Sequence, residues 1–280
     1  MPVQLLRRNH DVRVILRGRN RVNEFRNQGF DVVTGDLLDS DSLKAASTGM
    51  DAIFLMLPLV YDEELIMPYF QNVLYAAQKA NIKLLVFNTS TRVPAMPTDV
   101  WAFELKRKME ARLLQGDLPF IVVRPTFYME NLLGPWTMIP LSQQQVVTYV
   151  HAADRKVSWI CAWDMASFCV SALEHPRLAG SFIDVGGPEQ LDGNETAGRI
   201  SELTATDLQY EQADIDNFAE YLEKFAGTRA AREIRALNQW WLDNKDYEPG
   251  FVSDMDKVLE LLPVDKLTTF SEWASNHAWK

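Results

Sequence analysis

Three stretches of this 280-residue sequence carry side chains able to act on a ligand. The first crowds six guanidinium groups together, Arg7, Arg8, Arg13, Arg17, Arg19 and Arg21; such groups grip phosphate or carboxylate oxygens in pairs of bonds, and a solvated basic loop is the competing reading. The second sets Asn88-Thr89-Ser90-Thr91 ahead of a helical stretch bearing Lys106, beside which Arg107 and Lys108 suit plain helix surface equally well. The third, Arg124-Pro125-Thr126-Phe127-Tyr128-Met129-Glu130-Asn131, offers a phenol, a carboxylate and an amide where an apolar run gives way to a loop. Other chemistries find no support. GxSxG, a phosphate-cradling glycine-lysine loop and paired catalytic carboxylates are all missing. His10, His151, His175 and His277 lie without metal-ligand spacing; His175 reads as a helix end, and His151, in VVTYVHAADRKVSW, as structural.

Composition narrows the class. Hydrophobic residues make up 47% of the chain, enough to bury a sizeable core without disulfide or metal staples. Acids outnumber Lys and Arg by 38 to 28, and a net charge of -10 is the wrong sign for gripping a nucleic-acid backbone. Cys161 and Cys169 have no CxxC partner and read as core thiols in a reducing compartment. The longest apolar run, AIFLMLPLVY at 52–61, is about half of the ~20 residues a membrane helix needs, and the opening MPVQLLRRNHDVR lacks the apolar core of a signal peptide. The expected location is the cytoplasm, with no membrane attachment.

Short β-branched runs alternate with stretches of helical period, the pattern of a parallel sheet covered by helices on both faces. Strands are expected at 12–16, 31–34, 52–57, 84–88 and 120–123, with helices at 21–27, 40–47, 63–80 and 100–115 between them. Open sheets of this kind bind ligands at the loops that follow their strands. Further on, 156–160 and 182–185 read as strands and 164–173 as a helix, and from about Asp214 the chain turns helical and aromatic. Trp136, Trp240, Trp241, Trp273 and Trp279 are expected to pack helices onto the sheet; a lid over an apolar ligand is the alternative. The expected division is a dinucleotide-binding core at 1–150 and a smaller, mainly helical substrate or lid region at 151–280.

The order of LLRRNHDVRVILR, GFDVVTGDLLDSDSLKAASTGMDAIFLMLP, LLVFNTST, FELKRKMEARLL, PFIVVRPTFYMENLL and the closing PGFVSDMDKVLELLP…FSEWASNH resembles the NmrA-like family of atypical short-chain dehydrogenases over nearly the whole chain. The resemblance implies a doubly wound α/β, Rossmann-like fold and an NADP(H)-dependent reductase. Such a protein normally places a first strand and a GxxGxxG turn before LLRRNHDV, and that turn's amides hold the cofactor pyrophosphate. Here the first glycine is Gly18, and residues 1–8 read as the back half of the first helix with Asn9 as its left-handed cap. The missing strand would be central. Losing ~5 buried apolar side chains at ~1.5–3 kcal/mol each rivals the ~5–15 kcal/mol stability of a domain. The chain is therefore expected to re-pair its sheet, to borrow a strand or, as the favoured reading, to be an N-terminally shortened version of a longer protein, with NADP(H) binding weak or lost.

The resemblance also implies site residues. Arg17, directly after VRVIL, stands where the family distinguishes NADP from NAD by meeting the 2′-phosphate, with Arg21 assisting. Asp36 and Leu37 stand at the adenine contact, and Asp36 reads equally as a turn or cap residue. Met56, Leu57 and Pro58 would form an apolar wall against ribose and nicotinamide, or plain core. Asn88 closes the next strand. Lys106 matches the family's lysine, but Ala102 occupies the place four residues earlier where typical short-chain dehydrogenases keep a catalytic tyrosine. Lys106 would then hold ribose or donate a proton. Tyr128, Met129, Glu130 and Asn131 would border the nicotinamide, with Tyr128 the one hydroxyl nominated as substitute proton donor; a strand-to-loop turn is the alternative.

Three functions follow from the resemblance. The favoured one is a reductase passing hydride to a small, largely apolar carbonyl, enone or imine. The second is an NADP-sensing regulator without turnover that binds a protein partner, as Ala102 and the acidic surface would allow. The third is a cofactor-free isomerase or cyclase using the retained apolar cleft.

Overall fold

The computed structural model describes residues Met1–Trp279 and is α/β, with the strands and crossover helices in the alternation anticipated above. In chain order the elements are α1 (Pro2–Arg7), β1 (Arg13–Leu16), α2 (Val22–Asn27), β2 (Asp31–Thr34), α3 (Ser40–Ser47), β3 (Ala52–Met56), α4 (Glu63–Lys79), β4 (Leu84–Asn88), α5 (Trp101–Leu114) and β5 (Phe120–Pro125). There follow α6 (Pro135–Gln144), β6 (Val146–Tyr149), β7 (Val157–Ser158), α7 (Ala162–Glu174), β8 (Ser181–Val185), β9 (Gln190–Leu191), α8 (Gly193–Thr204) and β10 (Gln209–Gln212). The chain closes with α9 (Ile215–Ala226), α10 (Thr228–Asp243), α11 (Met255–Leu261) and α12 (Phe270–Ala274). None of these helices is long and apolar enough to cross a membrane.

The chain divides into two compact units whose segments interleave: residues 1–89, 108–123 and 166–183 form the first, and 90–107, 124–165 and 184–280 the second.

In the first unit β1 and β2 pair in parallel from Arg13 opposite Asp31 to Leu16 opposite Thr34. Strands β3, β4, β5 and β8 form a second sheet in that order. The run LLVFN makes β4 because every one of its side chains is buried, as a strand covered on both faces requires. Helix α3 begins where Asp39 accepts bonds from the Asp41 and Ser42 N–H groups, and α4 where Asp62 accepts from Glu64, so carboxylates satisfy amides that the helices leave unpaired. Asn9 takes the left-handed conformation expected of it, at φ 62°. Among the described residues no strand pairs with the remaining edge of β1 or of β3, and Ile15 on β1 is 43% exposed. The doubly wound order is thus broken between these two strands.

The second unit holds elements that periodicity missed. Helix α6 hides behind Pro135 and Pro140, of which the first occupies the opening turn, where a missing N–H costs nothing. Strand β6 pairs in parallel with β10, Val146 opposite Gln209, and the stretch 156–160 shrinks to the two-residue β7 against β9. Each is short, and only its distant partner makes it a strand. From Asp214 onward the expected helices appear as α9 to α12, with Asp214 and Asp254 as caps. Gly187 sits so close to the Trp159 carbonyl that a Cβ there would lie 1.8 Å from its oxygen, so no other residue fits.

Candidate functional site

In the first unit Arg17 and Asp36 with Leu37 stand just past the C-terminal ends of β1 and β2, while Met56, Leu57 and Pro58 stand at the end of β3 and Asn88 at the end of β4. Arg17 follows β1 directly, with its guanidinium Nε 3.2 Å from Asp36 Oδ2 just past β2. Both side chains face solvent, so the attraction is screened and contributes roughly 1 kcal/mol at most. Asp36 is also a turn residue: its Oδ1 accepts from the Leu38 N–H at 2.9 Å, and its own N–H donates to Ser42 Oγ at 3.1 Å. The alternative turn role is therefore real, and it leaves Oδ2 for Arg17. Arg21 is held by Glu24 through two bonds of 2.7 and 2.8 Å and lies 4.8 Å from the Phe25 ring centroid. Leu37 is half-buried and its carbonyl accepts from Asn72 Nδ2. Met56 and Pro58 are exposed and Leu57 half-buried, so plain core does not account for this trio. Asn88, at the end of β4, is buried.

The second unit holds Lys106 and the block after β5. Lys106 is half-buried on α5, and Ala102 one turn earlier is wholly buried, with no phenol near that place in the helix. Tyr128 is half-buried and bridges to Ile160 in parallel fashion. Its neighbours hold the loop together. Met129 is core, and its N–H donates to the Ile160 carbonyl at 2.9 Å. The Glu130 carboxylate accepts from the Ala162 N–H at 3.0 Å, at the start of α7. Asn131 Nδ2 donates to the Tyr149 phenol at 2.9 Å, and its carbonyl accepts from Trp136 Nε1. For Met129, Glu130 and Asn131 the strand-to-loop reading describes what these groups do here.

Beyond that block the second unit has a cavity of about 250 Å³, open to one side, with mainly apolar walls. Phe127, Val150, Trp241, Leu242 and Phe251 supply the walls. The Phe127 and Phe251 rings stack at 3.8 Å between centroids with 31° between planes, and Trp241 meets Phe251 at 4.4 Å. The Gly250–Ser253 segment that carries Phe251 is clamped by a buried arginine. Arg92, 2% exposed, donates to the Gly250 carbonyl at 2.5 Å, the Val252 carbonyl at 2.8 Å and Ser253 Oγ at 2.7 Å, with Asp184 3.6 Å away. Burial holds the Arg92 pKa below its usual value, opposed by the Asp184 carboxylate.

His151, buried, borders the same cavity. Its Nδ1 lies 3.0 Å from the Tyr210 hydroxyl, which also reaches the His151 carbonyl at 2.8 Å and the Tyr149 carbonyl at 3.1 Å. The carbonyls can only accept, so the single phenol proton goes to one of them and Nδ1–H donates to the tyrosine oxygen. Burial lowers the His151 pKa to about 3, opposed by Asp192 at longer range, so the ring stays neutral. Burial likewise raises the phenols of Tyr149 and Tyr210.

The sequence as a whole matches the model of the NmrA-like family over residues 3–274. The chain belongs to the NmrA-like family. Among relatives of this NmrA-like chain, an NAD(P)H azoreductase of Xenophilus azovorans is 26% identical over 270 residues, covering 95% of this chain and 89% of that protein. A (4-alkanoyl-5-oxo-2,5-dihydrofuran-3-yl)methyl phosphate reductase of Streptomyces griseus is 27% identical over 73% of this chain and 70% of its own. The NmrA-like fold is shared with the Citrobacter triphenylmethane reductase solved with NADP(H), at a TM-score of 0.78, 15% identity and coverage of 98% and 94%. An NADPH-dependent quinone oxidoreductase of Escherichia coli follows with a TM-score of 0.75, 18% identity and the same coverage.

Sequence reading of this NmrA-like chain missed Arg92, Asn238 and the cavity as a whole. A signal for the cavity did exist: Asn238, Trp241, Leu242 and Lys245 stand at i, i+3, i+4 and i+7, one face of α10 and the turn after it. Arg92 left no signal, because its partners lie about 160 residues away.

Proposed function

We propose that this chain is an NADPH-dependent oxidoreductase that reduces a small, largely apolar carbonyl, enone or imine. The observation that carries the proposal is the exposed Arg17 guanidinium at the end of β1, facing Asp36 at the end of β2, in a chain alignable with an azoreductase over 95% of its length. Strand ends of an open α/β sheet are where dinucleotides bind, and a weakly held surface ion pair exchanges readily for a bidentate phosphate. The residues present suit the adenosine end of the cofactor. Arg17 and Arg21 would take the 2′-phosphate, the turn at Asp36 and Leu37 the adenine, and Met56, Leu57, Pro58 and Asn88 the ribose and nicotinamide.

When bound, the reduced nicotinamide supplies a hydride. Lys106 would hold a ribose hydroxyl, and the Tyr128 phenol would give the proton that completes reduction, with Met129, Glu130 and Asn131 fixing the loop that carries it. Residues 1–150 would thus bind the cofactor and 151–280 the acceptor. Affinity for NADPH would be weak, because this sequence has no GxxGxxG turn and each charge-assisted amide bond to the pyrophosphate is worth about 1.5–3 kcal/mol. A cytoplasmic location suits a reductase that draws on the NADPH pool and carries two free, buried cysteines.

Titration of the purified chain with NADPH and with NADH tests the proposal. NADPH should bind more tightly than NADH, and Arg17→Gln should weaken NADPH at least tenfold while leaving NADH unchanged. Absence of detectable NADPH binding at millimolar concentration ends the reductase reading.

A further inference from the structure

We infer that the cavity of the second unit binds a planar, two-ring aromatic molecule bearing a hydrogen-bond donor at one end and an anionic group at the other.

Shape sets the aromatic class. A cavity of ~150 Å³ takes a benzene ring, so one of about 250 Å³ has room for two fused rings or a ring with substituents. Phe127, Phe251 and Trp241 pack on one another and line the cavity as an aromatic wall, to which a planar ligand makes the edge contacts aromatic rings prefer.

A buried amide sets the donor. Asn238 is 6% exposed, and its Nδ2 donates to the Ile234 carbonyl at 2.9 Å, which fixes the orientation of the amide because a carbonyl pairs only with the NH₂ side. The Oδ1 atom has no hydrogen bond from any described residue, on a side chain that lines the cavity. A hydroxyl or N–H of the ligand would satisfy it.

Charge sets the other end. Arg155 and Lys245 line the cavity, no acidic side chain does, and neither cation has an ion-pair partner among the described residues. In a chain with ten more acids than bases this is a local inversion of sign. Arg155 lies over Gly250, where a Cβ would come within 3.1 Å of Nη2, so the glycine makes room for the guanidinium at this place. Lys245, in the turn after α10, stands seven residues beyond Asn238 on the same cavity lining, which leaves the amide and the cations as separate polar points around one apolar space.

The inference stands on the second unit alone and survives a failure of NADPH to bind. Its test is calorimetric titration of the full chain, without dinucleotide, with 6-hydroxy-2-naphthoate, 6-methoxy-2-naphthoate and 2-naphthol. The hydroxy acid should bind one to one. The methoxy acid, which cannot donate, should bind at least fivefold more weakly to the wild-type chain, and Asn238→Leu should remove that difference. The Arg155→Gln, Lys245→Gln double variant should weaken the hydroxy acid at least fivefold and leave 2-naphthol unchanged. Equal affinity for the hydroxy and methoxy acids, an unchanged affinity in the charge variant, or no saturable binding at millimolar concentration would each overturn it.

Discussion

Acidification should strip stability from the second unit through one side chain. His151 is neutral and buried, with a pKa lowered to about 3, whereas in an unfolded chain an imidazole titrates near 6.5. Between these two values the unfolded chain binds a proton that the folded chain refuses, so stability falls as pH drops below about 6.5 and goes on falling towards 3. From pH 7 to pH 5 the linkage amounts to about 2 kcal/mol, the two states differing by about 0.7 of a proton on average over that interval. All eight tryptophans lie in the second unit, so urea unfolding followed by tryptophan fluorescence reads this unit without interference from the first. The comparison variant is His151→Asn, which keeps a polar partner for the Tyr210 phenol and removes the titrating ring. Other groups lose stability with acid in both proteins, so the quantity to compare is the difference. Wild type should lose about 2 kcal/mol more than the variant over this pH span. Equal losses, within about 0.5 kcal/mol, would refute the placement of a neutral imidazole in this core.

Arg92→Met should lower the stability of the second unit by about 3 kcal/mol in the fluorescence assay, because two carbonyls and a hydroxyl lose a buried cationic donor; Arg92→Lys should not restore it, since an ammonium lacks the planar fork. Gly187→Ala should cost about 3 kcal/mol or prevent folding, the new methyl being driven into the Trp159 carbonyl, while Gly198→Ala on α8, with nothing within 4 Å, should be neutral or stabilising by up to about 1 kcal/mol. Burial raises the thiol of Cys161 to about 11 and that of Cys169 to about 12, so at pH 8 both should resist a disulfide reagent in the native chain and react fully in urea; fast labelling of either without urea would contradict their burial.

Most of the first unit was legible because its signals are local. The run at 84–88 matches β4 to the residue, since a strand buried on both faces must be continuously apolar, whatever lies beside it; the run at 31–34 matches β2 although its end residues, Asp31 and Thr34, are exposed. Helix α3 announced itself by the acids and serines that cap it, and Asn9 by the few residues able to hold a left-handed conformation. The second unit was less legible. Strands β6, β7, β9 and β10 are two to four residues long and exist only as pairs, and the prolines of α6 argue locally against the helix they belong to.

The candidate site divides along the same line. Sequence by itself put Arg17 and Asp36 at consecutive strand ends, because a parallel register carries the residue after one strand next to the residue after its neighbour. The resemblance to short-chain dehydrogenases likewise sets Ala102 where typical members carry a tyrosine. Only the tertiary structure decided that Glu130 and Asn131 hold the loop, that Arg92 ties down the segment bearing Phe251, and that Asn238, Arg155 and Lys245 meet around one apolar cavity. The reason is physical: what a polar side chain does depends on which groups burial brings within hydrogen-bonding distance, and packing makes neighbours of residues separated by a hundred positions or more.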